Sequence, residues 1–184
     1  MRRVGFLIFL LCVVFTGCAR NYDVSDIIKV TDFELSPDEE KIAFAAVTPV
    51  GNTDIWVVNI DGTGLKKLTF QDHSPSNHIA RFFKKRKWRN FYEIDACFPE
   101  WTTDGRIMFC EEITKHHTFG INTYGLVYRT IKSDGTNERI KTDKDKILQR
   151  KPYDPINRPI LSDKSSKHKK EILLKDNVLW IIDD

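Results

Sequence analysis

Residues 33–44 read FELSPDEEKIAF and residues 99–109 read PEWTTDGRIMF. In the first stretch Ser36, Pro37 and Asp38 carry turn chemistry: short polar side chains that bond their own backbone, and a ring that presets φ. Beyond the turn, Ile42 and Phe44 alternate as one face of a strand does. The second stretch repeats this with one residue fewer. Asp104 and Gly105 make its turn, Trp101 stands where Leu35 stands, and Ile107 and Phe109 take the places of Ile42 and Phe44. A fainter copy runs over residues 160–174. The chain therefore repeats a hairpin, and an internal repeat governs the reading of the whole fold.

Each hairpin is followed by one more strand and a return. Residues 54–69 (DIWVVNIDGTGLKKLT) carry Trp56 on the strand and turn at Asp61-Gly62, where glycine accepts positive φ. Residues 126–140 do the same around Asp134 and Gly135, and residues 178–183 (VLWIID), with Trp180, begin it again. Four antiparallel strands with an Asp-Gly turn before the last is the plan of a propeller blade. These residues resemble the TolB-like propeller repeat, a relative of the WD repeat, whose pattern runs Ser-Pro-Asp-Gly, Ile-x-Phe, Ile-Trp-Val, Asp-Gly, Leu-Thr. The resemblance implies an all-β, incomplete β-propeller of about three four-stranded antiparallel blades with one basic insertion. Blade 1 would cover about 31–69, the insertion 70–95, blade 2 about 96–142 and a partial blade 3 about 156–184. A generic antiparallel meander or sandwich fits the same punctuation.

A closed propeller takes at least about four blades of about 40–45 residues. The repeats here fall short of that, which leaves an open fragment, a homo-oligomer that completes a larger ring, or a shortened gene product. Residues 28–31 (IKVT) look like residues 66–69 (KKLT). That likeness predicts that the N-terminal segment pairs with the last strand, 178–183.

At the N-terminus, Arg2 and Arg3 precede an apolar run over residues 4–15, and Thr16 and Gly17 precede Cys18. This is the layout of a secretory signal peptide; a membrane-spanning helix takes roughly 20 apolar residues. Residues 15–18 (FTGC) resemble a bacterial lipobox. The resemblance implies a signal peptide over 1–17, lipidation of Cys18, a tether over 18–25 and propeller repeats over 26–184. With Ala19 it further implies the periplasmic side of the outer membrane. An ordinary cleavable signal that contains a cysteine is the other reading. Lys and Arg number 29 against 26 Asp and Glu, and without Arg2 and Arg3 the excess falls to one. Charge thus makes no case for nucleic acid.

Cys97 and Cys110 flank the second hairpin turn. With Thr103 and Asp104 at its centre, Trp101 pairs with Arg106 and Cys97 faces Cys110, as a disulfide or as two buried free thiols. Residues 110–117 (CEEITKHH) collect metal-ligand types, but neighbours on a strand point to opposite faces, so no metal site is assigned. Residues 81–92 (RFFKKRKWRNFY) interleave cations with aromatics, a pattern suited to single-stranded nucleic acid in another compartment. In an exported chain they read as an insertion that packs its aromatics on the blades. The lysines of 164–170 read as a solvated loop. No nucleophile elbow, dinucleotide loop or phosphate loop occurs, so no catalytic residue and no cofactor is assigned.

Blade stacking predicts that Ile42, Phe44, Trp56, Val58, Trp101, Ile107, Phe109 and Trp180 point inward and that rim loops form the contact surface. The expected function is a lipid-anchored binding or scaffold protein of the cell envelope. Its partners would be the membrane, through the anchor, and envelope proteins, with another copy of the chain among them. An enzyme, or an enzyme's accessory subunit that recognises a peptide or polysaccharide, is the alternative.

Overall fold

Alternating apolar residues between turn signals become short strands wherever one face finds cover. In a computed structural model describing residues 24–71, 91–116, 123–142 and 161–183, these strands form three antiparallel sheets. The first holds β1 (Lys29–Leu35), β2 (Lys41–Val47), β3 (Thr53–Asn59) and β4 (Lys66–Lys67) in sequence order. The second holds β5 (Phe91–Trp101), β6 (Arg106–His116), β7 (Thr123–Lys132) and β8 (Arg139–Ile140), again in order. The third holds β9 (Leu161–Ser165), β10 (Lys170–Lys175) and β11 (Val178–Asp183). The 3-10 turn Val24–Asp26 precedes β1. The signal segment, Cys18 and residues 81–90 of the basic stretch lie outside the described residues.

The hairpin turns are built alike. Ser36 Oγ donates to Asp38 Oδ1 (2.6 Å) and accepts from the Lys41 amide (2.9 Å). Thr102 Oγ1 donates to Asp104 Oδ1 (2.6 Å) and accepts from the Arg106 amide (3.0 Å). Each turn spends one residue at positive φ, Glu39 (59°) and Gly105 (72°). The third turn has Lys167 where the aspartate would be, and there the carboxylate comes from the first sheet. Glu39 accepts from Ser165 Oγ (2.8 Å), Ser166 Oγ (3.1 Å) and the Lys167 amide (2.8 Å). The Asp-Gly returns also match. Asp61 accepts from the amide and hydroxyl of Thr63 (2.9 and 2.6 Å), and Asp134 from those of Thr136 (2.8 and 2.6 Å).

The first sheet lies between the other two. On one face, its front, Ile42, Phe44, Trp56 and Val58 meet Ile172 and Leu174 of the third sheet. On its back, Ala43, Ala45, Ile55 and Val57 meet Trp101, Ile107, Phe109 and Ile131 of the second. Through the shared turns Ile107, Phe109 and Ile131 correspond to Ile42, Phe44 and Val58, so the second sheet also presents its front. Ile172 and Leu174 correspond to Ala43 and Ala45 and belong to the back of the third sheet. Both interfaces are therefore front on back.

Several expectations need correction. Trp180, expected inside, is 52 % exposed: it corresponds to Trp56 but sits on a front that no sheet of the described residues covers. Residues 28–31 lead into β1 and pair with β2; they form no ladder with the last strand, and the Val30 amide donates to Asn177 O in the last hairpin (2.8 Å). The third sheet has no fourth strand among the described residues. Residues 91–95, assigned to the insertion, belong to β5. The lysines of 164–170 close a tight hairpin against the first sheet, with Lys167 and His168 beside Glu40.

Candidate functional site

The second hairpin sets the geometry of the seam between the first two sheets. Trp101 pairs with Ile107, one residue beyond the expected Arg106, because the turn holds three residues between Thr102 and Arg106. A bulge then follows at Phe98, whose φ is 54°. A bulge shifts register by one residue, and this one brings Cys97 opposite Cys110 after all. The cysteines are free thiols, and Cys97 Sγ donates to the Cys110 carbonyl at 3.4 Å, so its sulfur addresses the partner's backbone.

Between the strands lies an open hollow of about 370 Å³ lined by Asp32, Thr53, Asp95, Cys97, Phe98 and Glu112 among others. Asp95 accepts from the Thr53 amide (2.7 Å), yet burial pushes its carboxyl above the ordinary range, with help from Glu93 and Glu112. Burial drives the Cys97 thiol far upward and the neighbouring Glu112 adds to it; burial raises Cys110 as well. The thiolate is the nucleophilic form of cysteine, so near neutral pH both stay protonated and inert. Glu112 lines this hollow while Glu111 points to the opposite face, toward Gln71 and Arg129.

From Glu111 a chain of charges that the sequence reading missed runs across to the first sheet. Asp54 and Lys67 are both buried, 2.9 Å apart. Asp54 also accepts from Thr69 Oγ1 (2.8 Å) and the Gln71 amide (2.7 Å); burial still holds its carboxyl above the ordinary value. Gln71 Nε2 donates to Glu111 (2.9 Å), which takes Arg129 Nε at 2.6 Å, and Arg129 reaches Glu138 at 3.3 Å. Lys67 Nζ lies over the Trp56 ring at 5.7 Å, a cation–π distance. A buried ion pair needs its remaining hydrogen-bonding capacity met; Thr69 and Gln71 supply that at Asp54 Oδ1, while Oδ2 faces Lys67 Nζ. The available signal was an acid opening the apolar strand 54–58 and a lysine pair closing the unit.

The large exposed apolar side chains collect on sheet faces more than on rims. On β7, Tyr124, Leu126 and Tyr128 are 78, 61 and 48 % exposed; on β11, Val178, Trp180 and Ile182 are 48, 52 and 43 % exposed. Each trio alternates along its strand and so shares one face. The blade-motif residues Ser36, Asp38, Asp61, Gly62, Asp104, Gly105, Asp134 and Gly135 all sit in turns, where they shape the backbone. Pro37 opens the first of them. No family model, no curated protein and no solved structure matches this chain.

Proposed function

We propose that this chain is a lipid-anchored binding or scaffold protein of the cell envelope, built from TolB-like propeller units, that acts through protein contacts and is tethered by Cys18. Equivalent turns in successive units and the front-on-back order of the sheets support the propeller reading. The observation that carries the binding reading is the pair of outward apolar stripes on β7 and β11. Soluble monomers rarely leave contiguous apolar patches of this kind, and aromatics are enriched where proteins meet. The inert Cys97 thiol at the hollow fits recognition better than nucleophilic chemistry.

The test is photo-crosslinking in a bacterium that exports the full chain. A crosslinking residue at Leu126 or at Trp180 is expected to give discrete protein adducts, and one at the exposed turn residue Thr103 none. Failure of both stripe positions to capture protein overturns the binding reading. Cys18→Ser is expected to release the chain from the membrane fraction, and retention there overturns the tether.

A further inference from the structure

We infer that the partner for these stripes is a second copy of the same chain, docked head to tail, the front of its third sheet on the back of the second sheet and the reverse. This rests on the reading that the stripes bind protein, and names the partner. The first argument is continuity with interfaces already made. Both packed interfaces join a front to a back, and among the described sheets the two faces left over are one of each kind. Trp180 on the open front corresponds to Trp56, and Ile182 to Val58; in the first sheet both counterparts are buried under a neighbouring sheet. On the open back, Tyr128 and Leu126 lie directly opposite Cys110 and Glu112.

Ring closure supplies the second argument. Two copies bring six sheets, within the four to eight blades of closed rings, and closure removes the open faces.

The test is a complementation by mass. The exported full-length chain, released in mild detergent and weighed by native mass spectrometry, is expected to be a two-copy species. Trp180→Glu spoils the front and Leu126→Glu the back, so each variant alone breaks both contacts and weakens association by roughly a hundredfold. Mixed in equal amounts, they retain one intact contact and are expected to recover a two-copy species. Trp180→Ser and Leu126→Ser are expected to follow the same pattern more weakly, which separates loss of contact from loss of fold. A one-copy parent, a variant that keeps the parent's mass, or a mixture that fails to associate overturns the inference. If the stripe crosslinks then go to a different protein, the binding reading stands and only the second copy is lost.

Discussion

The first and second sheets share hairpin chemistry, the Asp-Gly-Thr return and strand register, yet β2 and β3 are buried on both faces while the second sheet is covered fully on one. The ladder closing each sheet shows the consequence. Trp56 pairs with Lys67 in the first; at the equivalent place Arg129 pairs with Ile140 in the second. Both ladders hold a cation, but Lys67 is sealed in with Asp54, whereas Arg129 is part-exposed between Glu111 and Glu138. Turn residues set the local backbone in the same way wherever they occur. What a strand residue is worth depends on which sheet lies over it.

The largest effect that would sharpen this comparison is at the matched tryptophans. Trp56→Ala should cost about 3–5 kcal/mol, since it empties a fully enclosed site stacked on Phe44. Trp180→Ala should cost less than about 1 kcal/mol in the dissociated chain. Equal shifts in urea midpoint would show that the two faces are equally covered. Next comes the sealed pair: Asp54→Ala strands Lys67 and should cost about 3–5 kcal/mol, while Arg129→Ala, at a partly exposed pair, should cost about 1 kcal/mol or less. The same urea titrations decide it.

A smaller effect lies in the turns. Gly105→Ala forces a side chain onto φ 72° with open space around it, so the cost is backbone strain alone, about 1–2 kcal/mol. Glu39→Gly relieves similar strain but removes the acceptor for Ser165 and Lys167, so hydrogen exchange over residues 165–168 should speed up. The smallest effect is in acid. Thr63 and Thr136 hold Asp61 and Asp134 below the ordinary 3.8, so each turn adds stability above that pH and loses it as pH falls. Burial raises Asp54, so its contribution runs the other way and declines as pH climbs past 3.8. Thr63→Val and Thr136→Val should therefore remove matching portions of acid-sensitive stability, and unequal portions would break the likeness of the two returns.

The all-β class, the hairpin repeats and the Asp-Gly returns were legible because turn chemistry is local: Ser36, Asp38, Thr102 and Asp104 satisfy their own backbone within five residues. The Cys97–Cys110 facing was read correctly, although the longer turn and the bulge at Phe98 each moved register by one and cancelled. A bulge answers to packing of the whole strand, and no single residue announces it.

Residue type and spacing by themselves determined where the chain turns, which side chains share a strand face, and that Trp56 and Trp180 occupy corresponding strand positions. Only the tertiary arrangement decided that the first sheet sits in the middle, that Glu39 completes a turn 126 residues away, that Lys67 and Asp54 are sealed together, and that Trp180 faces outward. Each of these depends on which sheet lies against which, and burial is a property of the neighbour as much as of the residue.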